Sequence, residues 1–162
     1  MSIGTKELKM DLKSIGIKNV NFGSNVTIIE PVNLYGCIIG DNTFVGPFVE
    51  IQKNVVVGER VKIQSHSFIC ESVRIGNDCF IGHGVMFIND LFSGGAPANG
   101  NKDLWKNTKI ENNVSIGSNA TILPVDICSN VVIGAGSVVT KNIKKSGVYA
   151  GNPAKKLREI ND

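Results

Sequence analysis

Every sixth residue from Ile39 is large and apolar: Ile39, Val45, Ile51, Val57, Ile63, Ile69, Ile75, Ile81 and Phe87. Glycine often follows, as Gly40, Gly46, Gly58, Gly76 and Gly82. Four residues beyond each apolar position sits a smaller group: Val49, Val55, Val61, Ser67, Val73, Cys79 and Val85. Positions i and i+4 share the parity that points one way along an extended chain, and the glycine permits the bend that follows. The spacing predicts one short strand and one turn per six residues. Such a unit is too short for a helical hairpin or a propeller blade, and it cannot bury a face alone, so the units must stack.

The pattern stops at Phe87 and resumes with Ile110, Ile116 and Ile122, with Val114 and Ala120 at the smaller position. The step from Ile122 to Ile127 is five residues, after which Ile133 and Val139 restore six. Upstream, Phe22, Ile28 and Leu34 form another frame, joined to Ile39 by a second step of five. One domain over residues 1–162 is expected, with a repeat region at 20–144 interrupted by a loop at 88–109. That loop carries Gly94, Gly95, Pro97 and Gly100, and long excursions from a compact domain usually serve function. Trp105, the sole tryptophan, argues that the loop makes contacts. In the tail, 145–162, Pro153 opens the stretch Ala154 to Ile160, which predicts a short helix.

Composition agrees with this picture. Ile 20, Val 18, Gly 18 and Asn 18 against Leu 7 favour strands and turns and exclude a helical bundle. No apolar run reaches the ~18 residues of a membrane span, and residues 1–13 are polar and lysine-bearing, so neither membrane insertion nor a secretory signal is expected. Cys37, Cys70, Cys79 and Cys128 lack metal-ligand spacing, which predicts reduced thiols, a cytoplasmic location and no metal. Six of the 17 basic residues follow position 140 (Lys141, Lys144, Lys145, Lys155, Lys156 and Arg158), opposed by Glu159 and Asp162. A phosphate-bearing ligand suits that patch; nucleic acid does not, because aromatic residues are not interleaved and no binding motif appears.

The hexads, with Ile116-Gly-Ser-Asn-Ala-Thr-Ile122, Val132-Ile-Gly-Ala-Gly-Ser-Val-Val-Thr-Lys141 and Tyr149-Ala-Gly-Asn-Pro-Ala-Lys155, resemble the hexapeptide-repeat acyltransferases. The resemblance implies a left-handed parallel β-helix of five to six coils, three hexads to a coil. It also implies a homotrimer with active sites between subunits, and acetyl-CoA as co-substrate. By motif position Ser118 and Ala135 would line the pantetheine arm, Thr140 and Lys141 would sit further along it, and Arg158 would lie near the nucleotide phosphates.

The strings Phe48-Val-Glu-Ile-Gln, Ile63-Gln-Ser-His-Ser-Phe-Ile-Cys-Glu71 and Ile81-Gly-His-Gly-Val-Met-Phe-Ile-Asn-Asp90 resemble N-acetyltransferases acting on nucleotide-linked 3-amino sugars. The match is nearest to those acting on UDP-2-acetamido-3-amino-2,3-dideoxyglucuronate, and further from those acting on dTDP-3-amino-3,6-dideoxyhexoses, both of surface-polysaccharide pathways. This implies Gln64, Glu50 and Asp90 as substrate-binding residues and Asn89 beside the reacting atoms. The only histidines, His66 and His83, are 17 residues apart; the 18-residue coil that the resemblance implies would put them on successive coils, offset by one position, suited to a proton relay or a ligand pair. The galactoside and maltose acetyltransferases carry a catalytic histidine in the extruded loop. The loop here has none, which tells against an alcohol acceptor. The alternatives are another acyltransferase on the same prism, such as a sugar O-acetyltransferase or an amino-acid-pathway succinyltransferase, and a prism without catalysis. The γ-type carbonic anhydrases share the prism but require three histidines on zinc.

Overall fold

In the computed structural model, which describes residues 12–161, the chain winds through three parallel sheets. The first face stacks Ile17–Lys18, Asn33–Tyr35, Glu50–Ile51, Phe68–Ile69, Met86–Phe87, Thr121–Ile122 and Val138–Val139. The second stacks Asn21–Phe22, Ile38–Ile39, Val56–Val57, Val73–Ile75, Thr108–Ile110 and Asp126–Ile127. The third stacks Thr27–Ile28, Phe44–Val45, Lys62–Ile63, Phe80–Ile81, Ser115–Ile116, Val131–Ile133 and Gly147–Ala150. The architecture is the left-handed parallel β-helix. The polar start of the chain, residues 1–11, and Asp162 lie outside the described residues.

Register follows hexad length. Ile51 pairs with Ile69 and Ile63 with Ile81, 18 residues apart. Where a five-residue step intervenes, the separation is 17, as in Leu34 with Ile51 and Ile122 with Val139. Across the loop, Ile75 pairs with Ile110 without breaking the stack. All nine residues of the first hexad series are buried, as are Ile110, Ile116, Ile122, Ile127, Ile133 and Val139. Each inward side chain therefore sits above its counterpart one coil earlier, in a continuous apolar column. Burying one such isoleucine contributes about 1.5–3 kcal/mol.

Four expectations change. The prism has seven coils rather than five to six, because Ile17–Lys18 and Gly147–Ala150 pair into the faces beyond the recognisable hexads. The loop closes at 107, since Thr108–Ile110 is already strand. Phe22 is 43% exposed, because the terminal coil has a described neighbour on one side only. The predicted C-terminal helix is absent: Lys155–Arg158 is a strand running antiparallel to Gly147–Ala150. Two helical turns alone are unstable in water, whereas a strand satisfies the backbone groups that the last edge of the third face would leave unpaired. No helix of the described residues is long and apolar enough to cross a membrane.

This packing predicts a sharp contrast within one strand. Ile63→Ala should cost about 2–5 kcal/mol in urea unfolding, whereas its exposed neighbour Lys62, changed to Ala, should shift stability by less than about 0.5 kcal/mol. Equal effects would contradict the assignment of inward and outward positions.

Candidate active site

Between the third and first faces the chain turns a corner at each coil, and equivalent corner residues stack. One column runs Pro47, Ser65, His83, Ser118 and Ala135; the next runs Phe48, His66, Gly84, Asn119 and Gly136. Backbone bonds fix this register: the N–H of His66 donates to the Pro47 carbonyl at 3.1 Å, that of Gly84 to Ser65 at 3.0 Å, and those of Asn119 and Gly136 to His83 and Ser118, both at 2.8 Å. The second column is in the left-handed region, with φ of 61° at Phe48, 64° at His66 and 59° at Asn119. Among the described residues most non-glycine positions in that region are asparagines, which tolerate it as histidine does, whereas phenylalanine is disfavoured there. Arg60 and Asp78 take the same conformation at another corner, so it is the side chains of this edge, and not its backbone, that set it apart.

The two histidines occupy different columns. Nδ1 of His83 lies 2.8 Å from Oγ of Ser65 in the coil below, a bond that orients the imidazole and leaves Nε2 for other partners. The ring of His66 instead stacks on Phe48, with centroids 4.8 Å apart and planes at 27°. Above His83, the same column continues into half-buried Ser118 and exposed Ala135. A side chain at Gly136 would meet nothing within 4 Å, so this end of the edge is a smooth track for an extended ligand arm.

The opposite edge of the first face carries the loop. Its pin is Glu71, buried at 6% exposure. Lys102 from the loop reaches its two carboxylate oxygens at 2.8 and 3.0 Å, and Asn54 donates to one of them at 2.9 Å. Burial opposes ionisation of Glu71, but the Lys102 and Asn54 hydrogen bonds and the charges of Lys102 and Lys53 outweigh it and hold the carboxyl below its ordinary range. Asn89 sits one coil above Glu71, with Nδ2 3.5 Å from the Glu71 carbonyl, while its own carbonyl accepts from the Lys106 N–H at 2.9 Å. Both oxygens of Asp90 are engaged by loop N–H groups, Phe92 at 2.9 Å and Ala98 at 2.7 Å. Trp105 is half-buried, with Nζ of Lys102 5.6 Å from its ring centre.

Within one chain, then, His66, His83, Ser118 and Ala135 share one edge. Gln64 lies in the turn leading into it, half-buried. Asn89 and Asp90 share the other edge with Thr140 and Lys141, and the first face lies between. On that face Glu50 accepts from Asn33 at 3.1 Å and from Gln52 at 3.0 Å. Arg158 is separate from both edges, exposed on the last strand, with Nη1 on the carbonyls of Glu159 and Ile160. No group of three or more His, Cys, Asp or Glu side chains among the described residues could hold a metal. Ser65 and Glu71 stand in no motif of their own; the sequence signal for each is its spacing, 18 residues or one coil before His83 and Asn89.

Comparison with known proteins agrees with this architecture. The model "Bacterial transferase hexapeptide (six repeats)" matches residues 36–71, and "Hexapeptide repeat of succinyl-transferase" matches 72–87 and 107–141, together more than half of the chain. The chain belongs to the hexapeptide-repeat transferases. The unmatched stretch between 87 and 107 is the loop pinned by Glu71. The galactoside O-acetyltransferase of Escherichia coli is 57% identical over 54 residues, 33% of this chain and 27% of that protein. The chloramphenicol acetyltransferase of Klebsiella aerogenes is 44% identical over 54 residues, 33% and 26% of the two chains. The chain thus spans about a quarter of the length of the curated relatives it matches. Solved structures align more broadly. A variant of AntD, an N-acyltransferase from Bacillus cereus in complex with dTDP and coenzyme A, gives a TM-score of 0.74 at 23% identity, over 88% of this chain and 85% of that one. A hexapeptide-repeat acetyltransferase from Vibrio cholerae, complexed with acetyl coenzyme A, gives 0.66 at 25% identity, over 78% and 72%.

The Glu71 pin predicts a pH-dependent loop. Because the folded carboxyl titrates below its ordinary value of 4.5, the contribution of the ion pair is complete above that pH and is lost as pH falls below it. Trp105 fluorescence should be constant from pH 7 to 5 and change below about 4.5, and Glu71→Gln should show the changed signal already at pH 7. An unchanged spectrum in the variant would contradict the pin.

Proposed function

We propose that this chain is an acetyl-CoA-dependent N-acetyltransferase acting on a nucleotide-linked 3-amino sugar in surface-polysaccharide biosynthesis, assembled as a homotrimer. The observation that carries the reading is the column of His83, Ser118 and Ala135: one group able to move a proton and two small positions for a pantetheine arm, on successive coils of one edge. The Vibrio cholerae neighbour, solved with acetyl coenzyme A, and the Bacillus cereus neighbour, solved with dTDP and coenzyme A, support a thioester donor and a nucleotide-bearing acceptor. In a trimer with sites between subunits, the loop edge of one subunit would meet the histidine edge of the next, which brings Asn89 to the reacting atoms.

The amine must be neutral to attack. Its nitrogen forms the C–N bond at the thioester carbonyl, the amide of Asn89 donates to the oxyanion, and the C–S bond breaks. The proton on the new ammonium passes to His83 or to the departing thiolate. A sugar amine needs little help from a base, which matches a loop without histidine. The similarity to a galactoside O-acetyltransferase favours a second reading, an alcohol acceptor, and the same assay separates the two.

Thiol release from acetyl-CoA should appear with UDP- or dTDP-3-amino sugars and not with UDP-N-acetylglucosamine; efficient turnover of the latter would promote the alcohol reading. With the best amine, Asn89→Ala should lower kcat by about 10²-fold, the size of one lost oxyanion donor. His66→Ala and His83→Ala should each cost about tenfold. A 10³-fold loss in either, with the acidic limb of the pH profile gone, would make that histidine the general base.

Lys141→Ala and Arg158→Ala should raise KM for acetyl-CoA with kcat nearly unchanged, since remote phosphate contacts act alike on ground and transition states. If both variants bind acetyl-CoA like the parent, the tail does not hold the donor.

A further inference from the structure

On the histidine edge, Phe48 is 57% exposed although one face of its ring lies on His66. Its backbone is in the left-handed region, where phenylalanine is disfavoured. The exposed part borders a depression of about 220 Å³ on the first face, lined by Ile15, Pro31 and Val32 as apolar walls and by Asn33 and Glu50 as polar ones. Asn33 and Glu50 are fixed against each other by a 3.1 Å hydrogen bond, and Gln52 holds the second oxygen of Glu50 at 3.0 Å. The stacking on His66 and the Gln52–Glu50–Asn33 chain keep this wall rigid before any ligand arrives.

We infer that this depression binds the pyrimidine base of the acceptor nucleotide, resting on the reading of the acceptor as a nucleotide sugar. The size suits a single planar ring and not a whole nucleotide. An aromatic face offers stacking to any base. The polar edge adds direction: a carboxylate oxygen accepts from the imide N–H of uracil or thymine, and the remaining N–H of the Asn33 amide donates to the adjacent carbonyl oxygen. A phosphate in this place would meet the like charge of Glu50, so the base, not the diphosphate, belongs here. Position agrees. Phe48 lies two coils from His83, on the order of 10 Å at ordinary strand spacing, a gap that a sugar diphosphate bridges. The track along Ser118 and Ala135 runs the other way, so the adenine of the donor lies at the far end.

The test is nucleotide binding by calorimetry on the full chain, with UDP, dTDP, ADP and coenzyme A as probes. The variant is Phe48→Gly, because glycine keeps the left-handed backbone while removing the ring. UDP and dTDP should bind the parent more tightly than ADP, and the variant should weaken them at least about tenfold, leaving coenzyme A binding and the thermal midpoint unchanged or improved. A parent that binds neither pyrimidine nucleotide, or a variant that binds them as the parent does, overturns the subsite. Competition of UDP with ADP, together with weaker coenzyme A binding in the variant, also overturns it by giving the ring to the donor. Pyrimidine binding that depends on Phe48, without turnover of any amino sugar, would uphold the subsite and sink the reaction.

Discussion

The coil-to-coil backbone ladder governs everything else in this molecule. Each strand of two to four residues is too short to pair stably alone, and bonds such as Phe68 N–H to the Val85 carbonyl, 2.9 Å, tie every turn to the next at a fixed spacing. Once that spacing is set, a residue has neighbours chosen by arithmetic: the positions 17 or 18 before and after it, or 35 where the loop intervenes. Apolar residues at the inward positions make the core a column, and small residues at corners let coils approach. A side chain at Gly82 would stand 2.7 Å from the Ser118 N–H, which the stack does not permit. Function on such a scaffold must be written in columns along edges.

The core was legible because its signal repeats. Ile39 to Phe87 state the inward position nine times, and one error in that frame would have been visible against the other eight. The ends were not. Ile17–Lys18 and Gly147–Ala150 join the faces through backbone bonds and without a repeating apolar position, so no hexad marks them. The tail misled for a related reason: the stretch after Pro153 carries helix-compatible residues, but the open sheet edge beside it decides the outcome, and that edge exists only in three dimensions.

The site shows the same division. His66 and His83 drew notice as rare residue types, and their one-position offset follows from the coil length. What the offset does, sending one ring to Ser65 and the other to Phe48, depended on knowing which corner residues stack. Glu71 was hidden because an isolated glutamate beside a serine carries no motif; its meaning comes from Lys102, 31 residues away in the loop. Two opposed edges of one face carry the histidine column and the pinned loop, and only in the proposed homotrimer would the loop edge of one subunit meet the histidine edge of the next.

In the proposed function the edge running from His83 through Ser118 to Ala135 holds the donor, and a crystal structure with coenzyme A tests this. The pantetheine arm should extend beside Ser118 and Ala135, its sulfur end toward His83 and its nucleotide end toward the last coils. Coenzyme A on another face, such as the depression between Arg74, Lys109 and Ser129 on the second sheet, would contradict it.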